Sequence, residues 1–310
     1  MCAALYTGRS MLRTAVLERG IPGGELLNTE KLDDWIGEKS ILGWELAKKF
    51  EEHSREFGAE YVTATVERIT KLRDGTFETV TDSGDRYVSP AVIVTAGGTP
   101  VKLGIPGEIE FAGKGVSYCA ICDGAFFKQQ TIAVVGGGDA AVEEAEFLTR
   151  YADKVYVVHR RDSFRASKIL QERLFANPKI EVIWNAVAEE VTGDERGLMT
   201  GLRIRDRVSN EVRTLDASGC FVFIGFHPNT GVIDGHFDHD EMGYVRTDTN
   251  MQTSIPGLFA AGDLRSQLTR QVTTAVGDAT TAAIAVEKYL KTRDEGSHEI
   301  VAQGSGGYTA

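Results

Sequence analysis

The length, composition and charge of the chain are those of an ordinary globular protein. Its 310 residues are enough for two domains of common size, and 42% hydrophobic with 25% charged residues is typical of a water-soluble fold. No apolar run is as long as a membrane span, so we expect no membrane partner. A net charge of −11 disfavours nucleic acid as a partner, because binding phosphates requires a basic surface.

The first residues allow two interpretations. Residues 1–17 contain arginine and serine but no acidic residue, a composition that is also found in transit peptides. The stretch TAVLE at residues 14–18 has the character of a buried strand, which favours the first helix and strand of the fold instead. We therefore expect a cytoplasmic protein.

Strands and helices alternate along the chain, which predicts an α/β fold. In the first third of the chain we expect a helix over residues 44–57, a small antiparallel insert around turns at Asp74-Gly75 and Ser83-Gly84, and a buried strand within residues 91–98. In the middle we expect a strand and helix from residue 131 and a second antiparallel insert over GLRIRD and NEVRTL. Towards the end we expect strands at CFVFIG and GLFAAGD and a helix over residues 272–290.

The four cysteines are too few for a secreted disulfide scaffold. Cys119 and Cys122 have the CxxC spacing, which suits either a metal knuckle or a redox pair. A structural zinc site usually needs four ligands, and the sequence contains no second CxxC and no HxxxH. We therefore favour a redox pair and predict no metal. Cys2 and Cys220 stand alone, and Cys220 lies in the apolar run CFVFIG, as an inert core thiol would.

A glycine turn in the middle of the chain is the strongest nucleotide-binding signal. IAVV predicts a strand, Gly136, Gly138 and Ala141 form a GxGxxA pattern, and VEEAEFL predicts an amphipathic helix. Glycines at this spacing permit a tight turn and a close approach of the backbone to a pyrophosphate at the helix N-terminus. The flanking strand and helix supply the context that the pattern requires.

The next predicted strand, KVYVV, ends at a basic segment that favours NADPH over NADH. An NAD site usually has an acidic residue at this strand end to bind the ribose 2′-hydroxyl, whereas this chain has Arg160, Arg161 and, slightly later, Arg165. Arginines at this position suit a 2′-phosphate. The residues that we assign to NADPH are Gly136, Gly138, Asp139, Ala141, His159, Arg160, Arg161 and Arg165.

Five motifs together resemble the low-molecular-weight thioredoxin reductases. CAICDG, GGGDAAVEEAEFLT, HRRDSFRA, IGFHPNT and TSIPGLFAAGD stand in the order and spacing of that family, and the resemblance covers nearly all of residues 3–290. It implies two Rossmann-like domains of the pyridine nucleotide-disulfide oxidoreductase type. The FAD domain would comprise residues 1–115 and 246–310, and the NADPH domain with the CxxC pair residues 116–245. It also implies thioredoxin or a similar small disulfide protein as partner, and a homodimer.

The resemblance assigns roles to individual residues. Cys119 would attack the substrate disulfide, Cys122 would face the flavin, and Asp123 would be the general acid and base, with helix capping as its alternative role. The residues similar to the FAD site of the family are Glu18, Gly23, Gly24, Asp263, Arg270, Gln271 and Val272. Asp34 and Ile36 depart from the pattern, because the family usually has Asn and Pro there.

The FAD-binding glycine turn that opens the family is absent from the N-terminus, where Met1–Tyr6 already resemble the helix after that turn. The tail HEIVAQGSGGYTA resembles the missing strand and a shortened turn, which would add Gly304, Gly306 and Gly307 to the FAD site. This similarity predicts a circularly permuted arrangement in which a strand at the tail lies beside GLFAAGD. The alternative is a flexible tail.

Three functions remain open at this point. The first is an NADPH-dependent thioredoxin reductase. The second is a related reductase for another disulfide partner, such as a peroxiredoxin system or a glutaredoxin-like protein. The third is an inactive protein that binds NADPH but not FAD and serves as an interaction module.

Overall fold

The computed structural model describes residues 1–29, 31–32 and 34–304, with the backbone alone for residues 31 and 294–304. By packing, the chain divides into unit 1, formed by residues 1–98 and the chain from residue 228 onward, and unit 2, residues 99–227. The sequence assigns residues 99–115 to the FAD domain and residues 228–245 to the NADPH domain. Packing alone does not test a cofactor assignment, so the predicted domain bounds stay a prediction.

The described residues contain nineteen strands and six α-helices. The helices are α1 (Cys2–Arg9), α2 (Gly43–Glu56), α3 (Ala120–Asp123), α4 (Asp139–Leu148), α5 (Lys168–Ala176) and α6 (Val272–Gly304). The strands are β1 (Ala15–Glu18), β2 (Lys31–Leu32), β3 (Ile41–Leu42), β4 (Glu60–Thr63), β5 (Val66–Lys71), β6 (Phe77–Thr81), β7 (Arg86–Ser89), β8 (Val92–Val94), β9 (Gly98–Pro100), β10 (Val116–Ser117), β11 (Thr131–Gly136), β12 (Lys154–Val158), β13 (Ile180–Ile183), β14 (Ala186–Gly193), β15 (Met199–Asp206), β16 (Val212–Asp216), β17 (Gly219–Phe223), β18 (Phe226–Pro228) and β19 (Leu258–Ala260).

Five parallel strands in the order β10-β17-β11-β12-β13 form the sheet of unit 2. Strand β11 is buried over all but its first residue, which explains its continuous apolar sequence. Helix α4 connects β11 to β12, and α5 connects β12 to β13, as parallel strands require. Val135 of β11 pairs with Val158 of β12, so both strands end at the same edge of the sheet. Gly136 and His159 therefore lie at that edge.

Both faces of this sheet are covered. Ile132, Val134 and Leu148 belong to the apolar cluster between the sheet and helices α4 and α5. Ala133 and Val135 belong to a second cluster, which also contains Leu202 and Ile204 of the antiparallel sheet β14-β15-β16. Burying a valine, leucine or isoleucine side chain in these clusters stabilises the fold by about 1.5–3 kcal/mol. The alternation of residues along β11 between the two clusters fixes which side chains face each core.

Unit 1 contains the first antiparallel insert and two pairs of parallel strands. Strands β5, β6 and β7 form an antiparallel sheet, and the predicted turn glycines Gly75 and Gly84 have φ of +82° and +84°. The insert predicted from the sequence is therefore confirmed. Strand β1 pairs with β4, and β19 pairs with β8, both in parallel. The N-terminal helix and strand expected from the sequence are present as α1 and β1.

Helix α6 packs against α1 within unit 1. The Cys2 thiol lies 3.4 Å from the Thr280 hydroxyl, and the Ser10 hydroxyl donates a hydrogen bond of 2.6 Å to Glu287. No helix among the described residues is long and apolar enough to cross a membrane.

The predicted strand in the tail is wrong. Helix α6 begins at Val272 as expected but continues to Gly304, so residues 298–302 are helical. The sequence after Leu290 contains no proline, and a single interior glycine costs a helix only about 1 kcal/mol, so nothing there stops helix propagation. The permuted arrangement thereby loses its structural basis. Gly304 is the last helical residue, and Gly306 and Gly307 lie outside the described residues.

Candidate active site

The predicted glycine turn joins β11 directly to α4. Gly138 is the N-cap of α4, with φ −97° and ψ −177°, and the helix begins at Asp139. The free N–H groups of the first helical turn therefore lie at the carboxyl edge of the parallel sheet, where an anion is favoured.

The three glycines of the turn lack a side chain for different reasons. A Cβ on Gly136 would lie 2.5 Å from the Cβ of Ala141, so this glycine allows the helix to pack closely on the strand. A Cβ on Gly137 would lie 2.2 Å from ring atoms of His159. A Cβ on Gly138 would meet no atom within 4 Å. The fold itself therefore requires Gly136 and Gly137, whereas the space beside Gly138 is open to a ligand.

His159 links the glycine turn to the basic segment. It is buried, and its ring nitrogens lie 2.8 Å from the carbonyl oxygen of Gly136 and 3.1 Å from that of Ser163. Burial lowers the pKa of His159, while the two carbonyl contacts act in the opposite direction. The ring also packs against Phe164 and Trp184, with centroid distances of 5.3 and 6.0 Å. This predicted site residue thus supports the turn from beneath.

Two further hydrogen bonds fasten the basic segment to the turn. The N–H of Arg165 donates to the carbonyl of Gly137 at 2.9 Å, and the N–H of Ser167 donates to the Asp139 carboxylate at 2.6 Å. The side chains of Arg160, Arg161 and Arg165 are exposed at this edge. The structure therefore brings all the residues predicted for NADPH into one region of unit 2.

The predicted redox pair is a disulfide. Cys119 and Cys122 are bonded to each other, with their Cα atoms 5.4 Å apart. Cys119 is the N-cap of α3, and its Sγ accepts a hydrogen bond of 3.2 Å from the N–H of Cys122. An N–H that points at this sulfur favours the thiolate of Cys119 after reduction. Cys122 is exposed, and Cys119 is half-buried.

Ser117 and Asp123 are the polar neighbours of the disulfide. The Ser117 hydroxyl accepts a hydrogen bond of 3.1 Å from the N–H of Cys119. Asp123 ends α3, and its side chain makes no capping hydrogen bond to the 3-10 helix that follows. The capping role considered for Asp123 is therefore not observed. Its role in proton transfer stays a prediction.

Of the two free thiols, Cys220 agrees with its expected inertness. Cys2 and Cys220 are not disulfide-bonded. Cys220 is fully buried, and burial raises the pKa of its thiol to about 12. A thiol with this pKa supplies almost no thiolate near neutral pH, so Cys220 is unsuited to disulfide exchange.

Asp263 and Arg270, both predicted for FAD, lie close to each other in unit 1. This half-buried carboxyl follows β19, and burial raises its pKa, an effect that the nearby Arg270 partly offsets and Glu25 and Asp278 reinforce. The Arg270 guanidinium lies over the ring of Tyr244, 4.0 Å from its centroid. Gln271 precedes α6, which begins at Val272. The helix start and Arg270 thus bring positive charge towards Asp263.

The other residues predicted for FAD lie at the end of β1 and in the loop after it. Glu18 is the last residue of β1, and its carboxylate accepts the N–H of Gly20 at 3.1 Å. A Cβ on Gly23 would meet Leu27 at 2.6 Å, whereas Gly24, with φ of +54°, borders open space. Asp34 is exposed, and Ile36 is 85% exposed.

Comparisons with known proteins decide the family. The pyridine nucleotide-disulphide oxidoreductase family matches the chain over residues 1–279. The chain belongs to this family. It is 44% identical to the thioredoxin reductase of Listeria monocytogenes over 291 residues, 94% of this chain and 90% of the relative. It is also 44% identical to that of Bacillus subtilis over 295 residues, 95% of this chain and 92% of the relative.

Solved structures agree with this result. The Lactococcus lactis thioredoxin reductase matches with a TM-score of 0.91 at 40% identity, covering 94% of this chain and 95% of the other. The T. acidophilum thioredoxin reductase matches with a TM-score of 0.88 at 33% identity, covering 93% of both chains. The predicted family and the predicted fold of this oxidoreductase are confirmed.

Thioredoxin reductases of the pyridine nucleotide-disulphide oxidoreductase family use FAD and NADPH, and these are the cofactors of this chain. The open space beside Gly138, the helix start and the exposed arginines fit NADPH. Glu18 and Asp263 are carboxyl groups at strand ends, which suit the hydroxyl groups of FAD. The assignment of individual residues to either cofactor stays a prediction.

Three groups of residues were not predicted from the sequence. Asp278 forms a salt bridge of 2.6 Å with Arg265. It also accepts a hydrogen bond of 3.1 Å from the N–H of Gly262, the residue directly before Asp263. Glu108 is buried and accepts a hydrogen bond from Tyr118, the residue before Cys119. Asn185 and Arg207 support the carbonyl groups of the arginine segment. Of these residues, only Asn185 could have been found from the sequence, because an Asn that follows a predicted strand favours a turn.

Proposed function

We propose that this protein is an NADPH-dependent thioredoxin reductase. It reduces the disulfide of thioredoxin, or of a similar small protein, through FAD and the Cys119–Cys122 pair. The observation that carries this proposal is the disulfide at the start of α3, with the N–H of Cys122 directed at the sulfur of Cys119. A protein that only bound NADPH would not require this arrangement.

The exchange chemistry follows from the two cysteines. In the reduced enzyme, the Cys119 thiolate attacks one sulfur of the substrate disulfide, which forms a mixed disulfide and releases the other substrate sulfur as a thiolate. Cys122 then attacks Cys119 in the mixed disulfide, which restores the Cys119–Cys122 bond and releases the second substrate sulfur. Two protons end on the substrate dithiol. Asp123, next to Cys122, is the group that we assign to proton transfer.

The chemistry supplied by bound FAD is the acceptance of two electrons from NADPH and their delivery to a disulfide. The residues that we assign to FAD are Glu18, Gly23, Gly24, Asp263, Arg270, Gln271 and Val272. The carboxylates would hold hydroxyl groups, and the start of α6 would direct its dipole at an electron-rich group. The tail glycines Gly304, Gly306 and Gly307 stay a prediction, without the strand that was expected before them.

On the NADPH side, Gly138 and the start of α4 would hold the pyrophosphate, and the exposed arginines the 2′-phosphate. His159 would act from below, by supporting the turn through its contact with Gly136. We also propose that the enzyme is a homodimer and works in the cytoplasm. Its two free thiols, Cys2 and Cys220, suit a reducing compartment.

The visible spectrum of the purified protein, before and after addition of NADPH, tests the proposed function most directly. We expect a yellow protein whose flavin absorbance bleaches with NADPH and recovers when oxidised thioredoxin is added. A colourless protein that still binds NADPH would support the interaction-module alternative. A bleached flavin that thioredoxin leaves unchanged, but a glutaredoxin-like or peroxiredoxin disulfide reoxidises, would support the reductase for another partner.

A further inference from the structure

Arg207 contacts the basic segment from outside the set of residues assigned to NADPH. It lies in the turn between β15 and β16, and its side chain is exposed. Its Nη1 donates a hydrogen bond of 2.8 Å to the carbonyl oxygen of Arg160. Its N–H donates to the carbonyl of Asn185 at 2.7 Å. The residue is therefore bonded at both its main chain and its side chain.

The turn that carries Arg207 is itself held by hydrogen bonds. The Asp206 carboxylate accepts the N–H groups of Val208 and Ser209 at 2.7 and 2.9 Å. The N–H of Asn210, whose φ is +61°, donates to the carbonyl of Asp206 at 2.9 Å. These bonds fix the backbone around Arg207 before any ligand binds, so its guanidinium acts from a defined position.

Asn185 connects the same turn to the next arginine. Its N–H donates to the carbonyl of Arg161 at 3.1 Å, and its φ of +53° turns the chain between β13 and β14. The carbonyl groups of Arg160 and Arg161 are thus both bonded to a support made of Asn185 and Arg207. The direction in which the two arginine side chains leave the backbone depends on that support.

We propose that Arg207 is a positioning residue that contributes to selectivity for NADPH over NADH. It holds the backbone of Arg160 through its guanidinium, which places a further positive charge at the carbonyl of Arg160. Because charges within a Debye length of about 8 Å act together at physiological salt, the cation favours a ligand with a 2′-phosphate. The inference rests on the proposed role of the three arginines in binding that phosphate.

The test is equilibrium binding of NADP⁺ and NAD⁺ to the FAD-loaded enzyme, measured by isothermal titration calorimetry. We expect Arg207→Met to weaken NADP⁺ binding about fivefold and NAD⁺ binding by less than about twofold. Arg207→Lys, which keeps the charge but not the planar donor group, should lie between Arg207→Met and the parent. Arg196→Met is the matched control, because Arg196 lies in the other turn of the same sheet and pairs with Asp194.

Equal weakening of both coenzymes by Arg207→Met would show a purely structural role and overturn the inference, as would no change in either. If Arg196→Met weakened NADP⁺ binding as much as Arg207→Met does, the effect would reflect net charge alone, and the inference would also be overturned. Arg165→Met distinguishes this failure from a failure of the proposed site. If Arg165→Met weakens NADP⁺ selectively and Arg207→Met does not, only the role of Arg207 is excluded. If Arg165→Met is not selective, the assignment of the arginines to the 2′-phosphate is wrong.

Discussion

The imidazole ring of His159 covers Gly137 so closely that a Cβ on this glycine would stand 2.2 Å from two ring atoms. Gly138, the next residue, faces open space and has backbone angles that any L-amino acid adopts, φ −97° and ψ −177°. Two adjacent glycines in one turn therefore lack a side chain for different reasons. Gly137 is required by the packing of the protein, whereas no packing contact requires Gly138, and we propose that the phosphates of NADPH use the space beside it.

Alanine at each of these positions should separate stability from coenzyme binding. Gly137→Ala should lower the free energy of unfolding by about 1–3 kcal/mol, because the methyl group displaces His159. Gly138→Ala should change stability by less than about 1 kcal/mol, yet weaken NADP⁺ at least about tenfold, because the methyl group occupies phosphate space. Urea unfolding and calorimetric binding of NADP⁺ measure the two effects.

The FAD content of both variants serves as the control, since neither residue belongs to unit 1. A Gly138→Ala enzyme that binds NADP⁺ as tightly as the parent would mean that the phosphates do not approach this part of the turn. The pyrophosphate site would then have to be placed elsewhere along α4.

Each cysteine of the disulfide should be indispensable for turnover but not for reaction with NADPH. Cys119→Ser and Cys122→Ser should lower thioredoxin reduction by more than about 10³-fold, because serine cannot form a disulfide with its neighbour or its substrate. Bleaching of the flavin by NADPH should survive in both variants. Stopped-flow absorbance follows the bleaching, and a coupled thioredoxin assay follows turnover.

Cys220→Ser is the matched control, because it also removes one sulfur but acts on a buried thiol whose pKa is raised to about 12. Its activity should equal that of the parent, with at most some loss of stability from burying a hydroxyl group. Substantial thioredoxin reduction by Cys119→Ser or Cys122→Ser would contradict the dithiol relay.

Features set by short stretches of sequence could be predicted. The turn at Gly136 to Ala141 follows from strand, glycine and helix signals within a dozen residues, and Cys119 and Cys122 are close enough in sequence to bond. The family resemblance supplied the rest of the fold. The tail was predicted wrongly, because Ile300 and Val301 suggested a strand while the absence of a stop signal after Leu290 let α6 continue.

Support from distant residues could not be predicted. The bond between Arg207 and Arg160 joins residues 47 apart, and the salt bridge between Arg265 and Asp278 depends on how α6 packs within unit 1. Nothing in the sequence around Arg207 or Arg265 distinguishes either residue from an ordinary surface arginine. Their roles become visible only when tertiary structure brings their partners within hydrogen-bonding distance.

Glu108 should be the most sensitive polar residue near the disulfide. It is 1% exposed and accepts hydrogen bonds of 2.7 Å from the N–H groups of Leu103 and Gly104 and from the Tyr118 hydroxyl. Glu108→Ala leaves all three donors without their acceptor, which should cost about 3 kcal/mol or more of unfolding free energy. Tyr118→Phe removes a single bond and should cost about 1–2 kcal/mol.

Chemical denaturation of the two single variants and of the double variant measures these costs and their coupling. In the double variant, the Tyr118→Phe change should add little, because the bond it removes is already lost. Simple additivity would contradict a direct contribution of the bond between Glu108 and Tyr118.

Asp263 should destabilise the flavin-free protein at neutral pH. Burial raises the pKa of this carboxyl, so the folded protein holds its proton to a higher pH than the unfolded chain does. Between the ordinary value of about 4 and the raised pKa, the folded state binds more protons than the unfolded state. The contribution of Asp263 to stability is therefore greatest below about pH 4 and is lost as the pH rises through the raised pKa.

Asp263→Asn removes this titration, so its effect on stability should depend on pH. In flavin-free protein, the melting temperature of the variant relative to the parent should rise as the pH increases from about 4 to 7, because only the parent acquires a half-buried charge. Flavin retention should fall in the same variant, since an amide replaces the carboxylate that we assign to the cofactor. Differential scanning calorimetry across this pH range, with flavin absorbance per protein, measures both effects. A melting-temperature difference that stays constant with pH would show that Asp263 titrates as it does in the unfolded chain. Unchanged flavin content would remove Asp263 from the FAD site.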